Sequence, residues 1–132
     1  MRRLFIIRKD LNLSPGKLAA MVGHCAEGYW MQLLLRGEPI PDDIREEYVN
    51  GIFRKVICGA KDLPHLMKVE ATAKELGLVE GMDYGFIDDW CFTEITPEFT
   101  DAQGVGRCRV GVWFKPLPDE TSKKLSRKYN LY

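Results

Sequence analysis

Cysteine and histidine are scarce in this sequence, which narrows the kinds of site that it can build. The 132 residues contain only two histidines and four cysteines, and no two cysteines form a C-x-x-C pair. Structural zinc sites need these residue types at close spacing, so we expect no metal and no cofactor. We interpret the cysteines as reduced, buried small side chains.

Long hydrophobic runs are absent as well. The apolar run over residues 4–7 is interrupted by Arg8 and Lys9, and it is too short for the core of a signal peptide or for a membrane span. Because all four residues are apolar, the run predicts a strand that is buried on both faces of a sheet. We therefore expect a cytoplasmic protein that does not contact a membrane.

The net charge does not point to any class of charged partner, because 19 basic residues balance 19 acidic residues. The charges are nevertheless unevenly distributed. Basic residues dominate segments 1–9 and 123–128, whereas acidic residues dominate segments 38–47 and 88–98. A local basic surface that contacts phosphate groups is therefore compatible with the neutral total.

Apolar patterning predicts that strands and helices alternate along the chain. Strands are predicted at 4–7, 53–58, 84–87 and 107–114, and helices at 14–35, 42–49, 62–76 and 118–129. The order β-α-α-β-α-β-β-α is typical of an α/β fold, and we expect one domain over residues 1–132 with three α/β/α layers. The sheet is predicted to be mixed and to have about four strands, because its last two strands are expected to be antiparallel.

The longest predicted helix begins with an unusual charge. Ser14 suits the N-cap, and Pro15 suits the first helical position. Lys17 then lies in the first turn, where the helix N-terminus disfavours a cation by roughly 0.3–1 kcal/mol. At the helical period one face carries Lys17, Met21, His24 and Gly28. A separate apolar stripe, which we expect to be buried, consists of Leu18, Val22, Cys25, Tyr29 and Leu33.

Strand ends offer a reason for that lysine. Ligands of open α/β sheets bind at the carboxyl ends of the strands, and the first strand leads directly to Lys17. If the third strand runs parallel to the first, Asp88 and Asp89 end at the same edge, and cation and carboxylates converge. Each residue also has a structural interpretation: a solvated lysine, a strand-ending pair of aspartates and, for His24, a hydrogen-bonded core residue.

A phosphate-binding P-loop is not expected around Gly16 and Lys17. The motif G-x-x-x-x-G-K-[ST] needs a second glycine five residues earlier and a hydroxyl residue after the lysine, where this chain has Leu18. Nucleotide hydrolysis is therefore disfavoured.

Two segments of the chain resemble the signatures of the type 2 peptidyl-tRNA hydrolase family. The first is R-K-D-L-x-L-S-P-G-K-L-A-A-M-V-G-H-C-A, which matches the family's spacing at Arg8, Asp10, Leu11, Gly16, Lys17, Ala19, Ala20 and His24. The second family signature reads approximately D-A-G-R-T-Q-I, and this chain has D-W-C-F-T-E-I at residues 89–95. The later G-x-x-x-x-P-x-P-x-E pattern and the final helix also fit, although residues 96–108 form a longer segment than usual.

Three residues depart from the family pattern. Met21 stands where the family usually has glutamine, which removes an amide from the pocket. Glu94 replaces a second glutamine and adds an acid, and Phe92 replaces an arginine that could contact phosphate or substrate.

The resemblance implies an enzyme that cleaves the ester joining a peptide to the 3′ end of tRNA, without a metal. In this hypothesis Asp89 orients or activates water, while Lys17 and the helix N-terminus stabilise negative charge. Thr93 hydrogen-bonds the water or the aspartate, and His24 shapes the pocket. The expected substrate-binding residues are Gly16, Met21, Asp88, Glu94 and Arg8. Candidates for phosphate contacts with tRNA are Arg2, Arg3, Lys123, Lys124, Arg127 and Lys128.

Two other functions stay open at the level of sequence. Because of Met21 and Glu94, the chain could be a binding or regulatory protein on the same fold with little hydrolase activity. It could also hydrolyse a different small ester or amide with the same lysine and aspartate. The resemblance is compatible with a homodimer, and nothing in the composition decides the oligomeric state.

Overall fold

The apolar run near the start of the chain forms the central strand of a mixed sheet in the computed structural model, which describes residues 1–132. The strands are β1 (Arg3–Arg8), β2 (Lys55–Ala60), β3 (Tyr84–Asp89), β4 (Phe99–Thr100), β5 (Gly106–Phe114) and β6 (Asn130–Leu131). The helices are α1 (Pro15–Arg36), α2 (Asp42–Asn50), α3 (Leu63–Met67), α4 (Val69–Glu75) and α5 (Asp119–Ser126). The strand order is β3-β5-β1-β2-β6, and β4 pairs with β5.

Strand directions bring three carboxyl ends to one edge of the sheet. β1 and β2 are parallel, whereas β5 is antiparallel to both β1 and β3. β3 therefore runs in the same direction as β1, and the antiparallel pairing that we predicted for the last two long strands is confirmed. We call the end of the sheet that holds Arg8, Ala60 and Asp89 the site edge.

Helices cover both faces of the sheet. One face packs against α1 and α2 through buried residues that include Phe5, Met21, Cys25 and Trp113. The other packs against α3, α4 and α5 through a second cluster that includes Leu66, Val69 and Leu125. The α/β architecture with a mixed sheet is confirmed. None of the helices combines the length and apolarity that a membrane crossing requires.

The sheet has six strands rather than about four. The two additional strands, β4 and β6, contain two residues each, which is too short to produce a recognisable apolar alternation. The helix predicted over 62–76 is two helices, because the Lys68 N–H donates to the carbonyl of His65 only three residues back. The last helix ends at Ser126 because the chain then turns to pair β6 with β2.

Helix α1 forms as its ends predict, but its buried face differs from the expected one. The Ser14 side chain caps the helix by accepting the Lys17 N–H, and Gly37 ends the helix at φ 66°. The buried residues are Met21, Cys25, Tyr29 and Leu33, which follow Lys17 at steps of four, so Met21 belongs to the core one helical turn after Lys17. Leu18 and Val22 are only partly buried.

Close packing of α1 on the sheet depends on Gly28. A Cβ at Gly28 would lie 2.4 Å from the Trp113 Nε1 atom, so the indole ring occupies the space of the missing side chain. Gly28→Ala is therefore expected to reduce the free energy of unfolding by about 1–3 kcal/mol through overpacking. Urea denaturation measures the change.

Gly23→Ala is the matched control for this prediction. Gly23 lies on the same helix, and a Cβ there would have no atom within 4 Å. This variant should keep or slightly raise stability, because alanine favours the helix by up to about 1 kcal/mol. Equal stabilities for the Gly28→Ala and Gly23→Ala variants would show that the close contact with Trp113 is unimportant.

Candidate active site

Lys17 reaches from the first turn of α1 to the end of β3. Its Nζ atom lies 3.3 Å from Asp89 Oδ1 and 3.3 Å from Thr93 Oγ1. The side chains of Lys17 and Asp89 are 14% and 9% exposed, so solvent screens their attraction only in part. An ammonium group has three N–H donors, and the two bonds to Asp89 and Thr93 leave one donor for another acceptor.

Asp89 is held in one orientation by two donors. While Oδ1 accepts from Lys17, Oδ2 accepts the backbone N–H of Cys91 at 3.0 Å. The residue is the last of β3, and the β3–β5 register shifts just before it, between Ile87 and Asp88. A carboxylate offers about four acceptor positions, so both oxygens can still bind water.

The segment that follows Asp89 is fixed to α1 through Glu94. The Glu94 carboxylate accepts the Ser14 N–H at 3.0 Å and also accepts the Ser14 hydroxyl. These bonds favour the ionised form and lower the pKa of Glu94, so the link persists at neutral pH and is lost only as acid protonates the carboxylate. The first turn of α1 contains no acidic residue of its own, and Glu94 supplies the negative charge there.

Two residues of this segment adopt left-handed backbone conformations. Cys91 has φ 60° and Glu94 has φ 61°. Such values suit glycine better than residues with a Cβ, and Cys91 stands at the glycine position of the D-A-G-R-T-Q-I pattern. The tight turn brings Thr93, four residues after the last residue of β3, to within 3.3 Å of the Lys17 Nζ atom.

His24 lines a cleft beside this group. It is exposed on α1, two helical turns after Lys17. The cleft has a volume of about 330 Å³, and its walls include His24, Gly28, Met31, Asp89, Trp90 and Arg107. Asp89 therefore faces both the cleft and Lys17.

Met21 and Arg8, both expected to bind substrate, lie beneath the surface. Met21 is 1% exposed and Arg8 is 2% exposed. The Arg8 guanidinium donates to Asp10 and Glu98 and to the Arg109 carbonyl, and these bonds raise its pKa and lower that of Glu98. Because both side chains are buried, neither is free to bind a substrate. Arg8 instead joins Asp10, Glu98 and β5 beneath the site edge through its hydrogen bonds.

Asp88 and Gly16, which were also expected to bind substrate, lie outside the hydrogen-bonded group of Lys17, Asp89 and Thr93. The Asp88 carboxylate forms a bidentate ion pair with Arg109, at 2.9 and 3.1 Å, and does not contact Lys17. Gly16 is exposed at the start of α1, and a Cβ there would have no protein atom within 4 Å. Of the nine predicted site residues, the structure brings Lys17, Asp89 and Thr93 into direct contact and places His24 and Glu94 beside them.

The basic residues proposed for tRNA contacts lie in different environments. Arg3 is buried and donates to backbone carbonyls of Phe114 and Cys25, and burial lowers its pKa to about 10. Arg2 pairs with Asp119. Arg3 begins β1 and Arg2 precedes it, so both residues lie at the end of the sheet opposite the site edge. They are therefore poorly placed for a substrate that reacts at Asp89.

Lys128 instead lines a basic cleft at the site edge, together with two lysines that sequence reasoning missed. Lys9 and Lys61 directly follow the paired residues Arg8 and Ala60 of β1 and β2. The cleft has a volume of about 290 Å³ and is lined by Lys9, Gly59, Lys61, His65, Lys128, Asn130 and Leu131. None of its three lysines forms an ion pair with a carboxylate. Lys9 and Lys61 lie close together because β1 and β2 are neighbours in the sheet, and the sequence alone does not reveal that pairing.

Comparisons with known proteins identify similar sequences over the whole chain. The model of the family described as peptidyl-tRNA hydrolase PTH2 matches residues 1–132. The peptidyl-tRNA hydrolase of Thermoplasma acidophilum is 27% identical over 132 residues, which cover 98% of this chain and 97% of that protein. The peptidyl-tRNA hydrolase of Methanopyrus kandleri is 30% identical over 105 residues, covering 80% and 83%. That of Pyrobaculum aerophilum is 30% identical over 126 residues, covering 96% and 92%.

The resemblance inferred from the two signatures is thereby confirmed. It extends over the whole chain, well beyond the segments around Lys17 and Asp89 that first indicated it. The chain belongs to the PTH2 family of peptidyl-tRNA hydrolases.

Proposed function

We propose that this protein hydrolyses the ester bond between tRNA and a peptide or an N-acylated amino acid, and releases free tRNA. The contact of Lys17 with both Asp89 and Thr93 is the observation that carries the proposal. It joins the two family signatures, which are about seventy residues apart in the chain, in one group at the site edge. The departures at Met21 and Glu94 leave this group intact, because one lies in the core and the other caps α1.

The reaction is water attack on an activated carbonyl. A water on Asp89 gives up a proton to the carboxylate while its oxygen bonds to the ester carbon. The oxyanion that forms accepts the remaining N–H of Lys17, with support from the positive end of α1. Thr93 accepts a hydrogen bond from Lys17, so its own O–H is available to orient the water. The C–O bond to ribose then breaks, and the proton passes to the ribose oxygen.

The basic cleft supplies a reason for a tRNA substrate. Its three lysines lie at the same edge as Asp89 and have no carboxylate partners, so they can neutralise phosphates of the chain that leads to the ester. His24 borders the cleft that Asp89 faces, and Gly16 is exposed at the start of α1. Because such substrates arise during translation, we propose that the protein acts in the cytoplasm.

A hydrolysis assay with purified protein tests this function. We expect N-acetylated aminoacyl-tRNA to be cleaved, with release of the N-acetyl amino acid and intact tRNA, and we expect cleavage to slow as salt rises because phosphate contacts are screened. Tight tRNA binding without turnover at high protein concentration would instead indicate a binding protein. Equal rates on a simple ester that lacks tRNA would indicate a general esterase.

A further inference from the structure

Two large aromatic side chains lie exposed between Asp89 and Thr93. Trp90 is 53% exposed and Phe92 is 84% exposed. Their rings are stacked, with centroids 6.2 Å apart and planes inclined by 26°. An isolated exposed ring needs no explanation, but two stacked rings that flank the reacting group form a surface suited to a flat apolar ligand.

The position of this aromatic pair is set by the same contacts that hold the site. Trp90 follows Asp89 directly and lines the cleft that Asp89 faces, while Phe92 precedes Thr93. The Arg107 guanidinium carbon lies 4.5 Å from the centre of the Trp90 ring, and Arg107 is itself held by Asp101 at 3.1 Å. The rings are therefore presented on a fixed segment and not on a free loop.

We propose that Trp90 and Phe92 form a stacking platform for the unpaired nucleobase next to the scissile ester. This inference rests on the proposed function, in which the ester is carried by the terminal nucleotide of a single strand. The base of that nucleotide is carried by the same ribose as the ester. When the ester carbonyl lies at Asp89, the base therefore lies close to the neighbouring residue Trp90. Unpaired bases stack on exposed aromatic rings, and every base has a face that can do so.

The departure of this chain from its family supports the platform. Phe92 replaces an arginine of the D-A-G-R-T-Q-I pattern, and Trp90 replaces an alanine. The exchange removes a cation that could contact phosphate and adds ring surface at two alternate positions. In this proposal, stacking of the base on the two rings takes the place of a contact with phosphate. The other occupant with suitable chemistry is an apolar side chain of the peptide, and the test separates the two.

Paired substrates provide the test. We compare kcat/KM for a short N-acetyl-aminoacyl oligonucleotide with that for its counterpart lacking only the terminal base. Trp90→Ala and Phe92→Leu should each lower kcat/KM about tenfold for the intact substrate and leave the abasic substrate unchanged. Trp90→Phe and Phe92→Tyr keep a ring and should retain most of the activity. Tyr48→Leu on α2, where the ring is also 53% exposed, should have no effect on either substrate.

Several outcomes would overturn the platform. Equal losses on the intact and abasic substrates would mean that the rings contact the peptide or only shape the loop. Unchanged rates for both variants would mean that they contact nothing.

A second readout works without turnover. Binding of the uncharged oligonucleotide should quench the fluorescence of Trp90, and the quench should disappear in Trp90→Phe. A quench without hydrolysis by the natural protein would refute the proposed function while keeping the platform. Hydrolysis without a quench would support the proposed function and refute the platform.

Discussion

Asp89→Asn is expected to lower kcat/KM for cleavage of N-acetyl-aminoacyl-tRNA by about 10²- to 10⁴-fold, because the amide cannot take a proton from water. The amide oxygen can still accept from Lys17 or from the Cys91 N–H, so the fold and the binding of tRNA should change little. Steady-state release of the N-acetyl amino acid measures the loss, and thermal unfolding checks the fold.

Asp83→Asn is the matched control for that substitution. Asp83 precedes the same strand at its other end and forms an ion pair with Lys115 at 2.7 Å. Its replacement removes the same charge from a similarly paired carboxylate far from the site edge. If both asparagine variants retain full activity, Asp89 is not the group that activates water.

Lys17→Met is expected to lower kcat/KM by about 10²- to 10³-fold, since the oxyanion would lose its charged donor. KM should change less than kcat, because the interaction strengthens as charge develops on the carbonyl oxygen. Lys17→Arg should recover part of the rate, whereas Lys115→Met should behave like the natural protein. A Lys17→Met variant that raises only KM would show that the lysine holds the substrate and does not stabilise the transition state.

The core of the site was predictable from the sequence because it follows from local rules. The lysine in a first helical turn is unfavourable unless something compensates for it, and the strand-end rule placed both Asp88 and Asp89 near it. The resemblance to the family singled out Asp89 as its partner. The strand-end rule also assumed that β3 runs in the same direction as β1, and this is confirmed by the pairing of both strands with β5.

The boundary between the core and the site on α1 could not be predicted. Two apolar rows, one through Leu18 and Val22 and one through Met21, meet at Cys25, Tyr29 and Leu33, and the row through Met21 is the more deeply buried. Either row could face the sheet on periodicity alone, because tertiary docking decides the rotation of the helix. Met21 does follow Lys17 on the same row of the helix, but it is 1% exposed, so the structure does not support its predicted role in substrate binding.

Long-range ion pairs were also beyond sequence reasoning. Arg8 and Glu98 are ninety residues apart in the chain, and their contact depends on β5 lying beside β1. Arg8 was predicted to bind substrate because it matches the first family signature, and nothing in the sequence indicated its partner Glu98. Glu94 was interpreted as a departure that adds an acid to the pocket and binds substrate, whereas in the structure its carboxylate accepts from the N-cap residue Ser14 at the start of α1.

The most direct test of the central claim is the rate of the double variant Lys17→Met/Asp89→Asn. If the two residues act as one unit on the same transition state, the double variant should cleave N-acetyl-aminoacyl-tRNA within about threefold of the slower single variant. Fully additive losses, in which the two fold-reductions multiply, would contradict a joint role for Lys17 and Asp89 in the reaction.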